Sequence, residues 1–212
     1  MKGSVRLVLF VVVLMASASL LHADSLGLTT SSDGNLFVNQ GTFTLGYSFE
    51  VNTSISVTAL AVFDAGSDGL NVSHQVGIWD ATGNLLASTW VAAGTGGPIL
   101  GGYRYATIPD LPLTAGNIYY VGSVNGMDND SFMLDPSSFV PAPQITYLSR
   151  QFESSSGGLV FPGLVGGGGN TGFFGGNFLF VDSTATPEPN SVLLIGTGVL
   201  GLANAVRRKI NL

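Results

Sequence analysis

Phe43-Thr44-Leu45-Gly46-Tyr47-Ser48-Phe49 alternates large apolar residues with small or polar ones. Ile55-Ser56-Val57-Thr58-Ala59-Leu60-Ala61-Val62-Phe63 continues similarly, with Val57, Ala59, Ala61 and Phe63 on one face. Successive side chains of an extended chain point to opposite sides, so a period of two marks a strand with one face on a core. Downstream, Val76-Gly77-Ile78-Trp79-Asp80 and Leu85-Leu86-Ala87-Ser88-Thr89-Trp90-Val91 flank Ala81-Thr82-Gly83-Asn84. A short loop with Gly83 free to take positive φ makes these two runs a hairpin.

Similar runs at residues 103–108, 118–124, 145–152 and 177–181 predict further strands, and no segment between the ends sustains a helical period. Roughly eight short strands separated by Gly and Asn turns predict an all-β, antiparallel β-sandwich, with a jelly roll as the close variant. We place this domain at residues 24–183. Residues 157–176 hold ten glycines, a composition that loses much entropy on ordering. A flexible loop is expected there, pinned locally by Phe161, Phe173 and Phe174.

Both ends of the chain have a different character. Residues 1–23 begin with Lys2 and Arg6, continue with an apolar run to Met15, and finish in a stretch rich in small residues from Ala16 to Ala23. This three-part form is that of a secretory signal peptide read by the secretion translocon, with cleavage after Ala18 or Ala23. At the other end, residues 184–212 carry Pro187-Glu188-Pro189, a hydrophobic helix expected over 191–206, and Arg207-Arg208-Lys209. An apolar segment followed by a basic cluster stops in a membrane with the cations on the cytoplasmic side. At about 24 Å it falls short of a ~30 Å hydrocarbon core, which suits transient rather than lasting anchoring.

These three features, in this order, resemble the Pro-Glu-Pro C-terminal sorting (PEP-CTERM) signal of Gram-negative bacteria. The resemblance implies processing by an exosortase, a membrane-embedded enzyme, and delivery to the cell surface or the extracellular polysaccharide. The run from Leu45 to Val91 also looks like an uncharacterised domain of bacterial surface proteins. Its echoes here are Gly46-Tyr47-Ser48-Phe49, Ala59 to Asp64, Asp68-Gly69-Leu70 and His74 to Asp80 before Gly83. That likeness implies fold and location, and no activity.

Charge and composition narrow the function. Between residues 24 and 186 the only fixed cations are Arg104 and Arg150, against twelve carboxylates, a net of −10. Nucleic-acid affinity rests on Lys and Arg displacing counterions, so this body excludes it. Without cysteine there is no thiol catalysis and no zinc–thiolate or iron–sulfur site. His74 is the one histidine after the signal segment, and no Gly-x-Ser-x-Gly elbow occurs. Glu50 and Glu153 are the acids in strand-like context, the candidates for a secreted polysaccharide hydrolase. We expect a non-catalytic protein instead.

No cofactor is called for. Calcium is the metal best suited to the acids present: Asp64-Ala65-Gly66-Ser67-Asp68-Gly69 sets two carboxylates in a Gly-containing loop, and Asp128-Asn129-Asp130 is a second, weaker cluster. Solvated turns are the alternative for both. A carbohydrate-binding role would draw on exposed aromatics. Trp79 and Trp90 are expected to pack in the core or across strands, while Trp90, Tyr103 and Tyr105 remain candidates for ligand contact. The leading expectation is a structural or adhesive protein of the biofilm or exopolysaccharide, with a carbohydrate-binding module as the alternative.

Overall fold

The computed structural model describes residues 24–31, 34–166 and 172–183. The signal segment, the helix expected over 191–206 and the sorting residues Pro187, Glu188, Pro189, Arg207, Arg208 and Lys209 lie outside them. Chain contacts divide the protein into two units, Met1–Asp182 and Ser183–Leu212.

Eight main strands form the first: β1 (Phe43–Val51), β2 (Ile55–Phe63), β3 (His74–Asp80), β4 (Leu85–Val91), β5 (Tyr103–Leu113), β6 (Ile118–Asn125), β7 (Ile145–Ser154) and β8 (Gly176–Asp182). One sheet runs Ser25–Leu26, β8, β2, β5, Ile99–Leu100; the other runs Leu164–Val165, β7, β1, β6, β3, β4. Every pairing within them is antiparallel. Short strands at Asn35–Phe37, Phe132–Leu134 and Phe173–Phe174 form a third sheet, and Leu28–Thr30 pairs with Phe139–Pro141. The described residues contain no α-helix, and none of their helices is long and apolar enough to cross a membrane.

The alternation read from the sequence sets the core. Tyr47, Phe49 and Val51 of β1 meet Val57, Ala59 and Ala61 of β2 and Phe178 and Phe180 of β8 in one buried cluster. The Phe49 and Phe178 rings stack across the sheets with centroids 4.9 Å apart. Burying such side chains contributes about 1.5–3 kcal/mol each relative to leaving them in water. Asn177 satisfies three polar groups that reach this interior. Its Oδ1 accepts from the Tyr47 hydroxyl (2.9 Å) and the Phe178 amide, and its Nδ2 donates to the Leu28 carbonyl.

Strand β1 differs from a half-buried strand in one respect: its outer face is buried too, including Thr44 and Ser48. The chain after β7 lies across that face as a strap. Its Val160 amide donates to Thr44 Oγ1, and Phe161 packs edge-on against Trp79 and Tyr120. Leu164–Val165 then pairs with β7, and Phe174 is fully buried. The described glycine-rich stretch is thus held by its few aromatic and aliphatic side chains. Gly46 marks the tightest approach inside the sheet; it pairs with Gly122, and a Cβ there would lie 1.8 Å from the Val121 carbonyl oxygen.

Strand β5 runs five residues beyond the expected end at Ile108, through Pro109 and Pro112. A register shift between Val57 and Ala59 on β2 falls opposite this stretch. Prolines are tolerated where a bulge relieves the ladder of an N–H.

The β3–β4 hairpin forms as expected. Asp80 Oδ1 accepts from the Thr82 amide and hydroxyl and the Asn84 amide, while Asn84 Nδ2 donates to Oδ2. The bonds from the Thr82 and Asn84 side chains are the main reason its pKa falls to about 2. Gly83 sits at φ 85° and faces the Phe161 ring. Gly83→Ala is expected to cost about 1–2 kcal/mol, the penalty of placing a Cβ in left-handed backbone. Gly83→Asn should cost less, since Asn visits that region more readily, and urea midpoints of the two variants check the order.

Candidate functional site

Two buried ionic contacts gather at one end of the sandwich, around a polar cleft lined by Asp64, Asp68, Asn71, Asn129 and Asp130. The first is set where β2 ends. A single 3-10 turn at Ala65–Ser67, with Gly66 and Ser67 at positive φ, folds the chain back over Asp64. Asp64 Oδ2 accepts from Arg104 Nε (2.8 Å) and Nη2 (2.5 Å), and Oδ1 accepts from the Gly69 amide. Arg104 Nη1 donates to the carbonyls of Thr95 and Gly97. Both side chains are almost fully buried. One guanidinium therefore ties the β2 end to the loop before β5.

The second contact joins His74, the first residue of β3, to Asp130. His74 Nδ1 lies 2.7 Å from the Val124 carbonyl oxygen, and Nε2 lies 2.8 Å from Asp130 Oδ2. A carbonyl only accepts, so Nδ1 carries a proton. The Nε2–Oδ2 contact then needs a further proton between its two atoms. Asp130 Oδ1 accepts from the Asn71 amide and Nδ2, and Oδ2 also accepts from the Val72 amide. Burial pushes the Asp130 pKa up, but the bonds from Asn71, His74 and Val72 outweigh it and hold the pKa below the ordinary carboxylate value. The three N–H donors from Asn71 and Val72 on one carboxylate favour its ionised form.

These contacts decide what the acids can do. Asp64 and Asp68, the calcium candidates, do not act together: Asp64 is buried against a guanidinium, which already fills the cation's place, and Asp68 is exposed. His74, Asp128 and Asp130 do come within metal-ligating distance of one another. Yet both His74 nitrogens and both Asp130 oxygens are engaged. Asp128 Oδ1 accepts from the Asp130 amide and Oδ2 from the Gly126 amide. This donor set suits a closed latch better than the six to eight free oxygens calcium takes.

Glu50 and Glu153 are not a carboxylate pair. Glu50 lies on β1 and Glu153 pairs with Thr44 of that strand, six positions away. At ~3.3 Å per residue they stand about 20 Å apart, twice the reach of a glycosidase pair.

The aromatic candidates separate cleanly. Trp79 is buried beneath Phe161. Trp90 is 59% exposed on edge strand β4, where core or cross-strand packing was expected. Its cross-strand partner is the polar Gln75, and the strap does not cover it. Tyr103, a candidate for ligand contact, is instead fully buried and packs edge-on against Phe63. Tyr105 shares that inward face and is half-buried against the core. Sequence reasoning missed the partnership of Asp64 with Arg104 and of His74 with Asp130. A usable signal was present: an arginine inside a strand of a lysine-free, acidic body has few ways to be there except paired.

An antiparallel sandwich, closed at one end by buried ionic latches and bearing one exposed tryptophan on an edge strand, is the class these features define. The chain belongs to the family of the domain of unknown function DUF4082, matched over residues 30–162. A PEP-CTERM protein-sorting motif matches residues 185–209. That motif marks an exported protein sorted by exosortase to the cell surface or beyond. No curated protein matches the chain.

Proposed function

We propose that this protein is a non-catalytic structural or adhesive component of the outer surface or extracellular polysaccharide. It would be exported through the translocon, held briefly in the inner membrane by residues 191–206, and released by exosortase. The sorting motif behind a sandwich is the observation that carries this reading. It is supported by the way Asp64, Asp130 and His74 spend their hydrogen bonds on closing loops rather than on an open cleft.

Mass spectrometry of the protein from its host's surface fraction tests the reading. The expected species begins at Ser19 or Asp24 and ends near Pro187–Pro189. A mature chain that keeps Arg207-Arg208-Lys209 would make the tail a lasting anchor and overturn the proposed release. Deleting residues 185–212 should leave the protein in the periplasm and reduce surface-matrix retention.

A further inference from the structure

We propose that the groove around Trp90, on the outer face of the six-stranded sheet, binds a hexopyranose unit of a neutral extracellular polysaccharide. The inference deepens the adhesive reading by naming what is held, and rests on it only for where the glycan is met.

An exposed indole on an edge strand gains the fold little, since its large apolar surface stays in water. Here it borders a groove of about 280 Å³ lined also by Thr42, Ser73, Gln75, Met127, Asp128 and Gly157. That volume lies just below the ~300–1,000 Å³ typical of drug-sized ligand sites, which suits one sugar ring. The strap that buries Trp79 leaves this spot open at Gly157, where no side chain intrudes.

Several polar groups at the groove keep capacity for a ligand. Among the described residues, no hydrogen bond within the protein occupies the Gln75 amide, the Thr42 hydroxyl or the Trp90 indole N–H. Ser73 Oγ accepts from the Ala93 amide and retains its O–H to donate. Each Asp128 oxygen accepts one backbone N–H and keeps a lone pair. A pyranose matches this set: its C–H face lies on the indole, and adjacent hydroxyls meet the carboxylate and the amide. An apolar peptide would bury the same groups unpaired, which is costly.

Charge selects among sugars. Arg104 is committed to Asp64, and Arg150 to Asp135 and the Phe173 ring. Among the described residues no uncommitted arginine or lysine faces the groove; His74 lines it but is engaged by Asp130 and the Val124 carbonyl, whereas Asp128 also lines it. Uronate or sulfated chains are repelled and neutral ones are not.

Native electrophoresis of the purified full-chain protein in gels cast with hydroxyethylcellulose, galactomannan, dextran or alginate tests this. At least one of the three neutral polymers is expected to retard it, and the polyuronate alginate is not. Trp90→Ala should weaken the apparent affinity roughly tenfold or more, as truncating an aromatic anchor does. Gln75→Ala should weaken it less, and an unchanged thermal midpoint confirms that both variants fold. With only two tryptophans in the chain, the retarding polymer should also shield Trp90 from acrylamide quenching, an effect absent in Trp90→Phe. Retardation that survives Trp90→Ala, no retardation by any neutral polymer, or equal retardation by alginate would overturn the proposal. Each result is independent of where the cell delivers the protein, so a failed sorting prediction and a failed binding prediction remain distinct.

Discussion

Asp64→Ala is expected to lower the unfolding free energy by about 3–5 kcal/mol, the cost of removing one partner from a buried ion pair. The reason is the residue left behind. Arg104 is 3% exposed and directs Nε and Nη2 at Asp64 Oδ2. Without that carboxylate, a guanidinium remains inside the protein with only the Thr95 and Gly97 carbonyls on Nη1. The Gly69 amide loses its acceptor as well. For a protein of this size, the loss corresponds to a fall in melting temperature of roughly 6–20 °C. The double variant Asp64→Leu/Arg104→Met should lose less than the sum of its single changes, because no charge is then stranded. Equal, additive losses measured in urea would show that the two groups do not depend on each other. Since the contact closes the 64–69 turn against the 95–97 loop, faster exchange of the Gly69 amide should accompany the loss.

The sandwich was legible because its signal is local. Period-two alternation in residues 43–49 and 55–63 needs only neighbours to be read, and it fixed which faces of β1 and β2 meet. Glycine at position 83 likewise revealed the hairpin. What stayed hidden depends on residues distant in the chain. The outer face of β1 reads as solvent-facing, and it is buried by a strap more than a hundred residues later. Tyr103 and Tyr105 do share a face, yet alternation does not say which side of the sheet it takes; here it is the inner one. Asp64 is indeed a carboxylate that holds a cation, but the cation is a side chain forty residues away. The Asp130 partnership spans fifty-six residues, and no motif spacing announces it. Edge position explains Trp90: the same β-hairpin places one tryptophan under the strap and leaves the other beyond its reach.

Asp130→Ala should cost a comparable amount, about 3–5 kcal/mol, for the same kind of reason: it strands a buried His74 that bonds in two directions. It also orphans the Asn71 and Val72 amides, so the connection from β2 to β3 loosens along with the loop at 126–131. The pH dependence distinguishes this contact from packing. The folded-state pKa of Asp130 is lowered from the ordinary 3.8, so the unfolded chain takes up its proton first as the solution is acidified. Stability from this group is complete above pH 3.8 and is lost as pH falls through the lower folded value. Asp80, held at about 2 in its hairpin, adds to the same acid-side slope between those values. Urea unfolding of wild type between pH 5 and pH 2 should therefore show a decline that Asp130→Asn and Asp80→Asn each make shallower. A decline left unchanged by Asp130→Asn would mean that the donors around this carboxylate bind its protonated form as well as its charged one, and that the latch is not ionic.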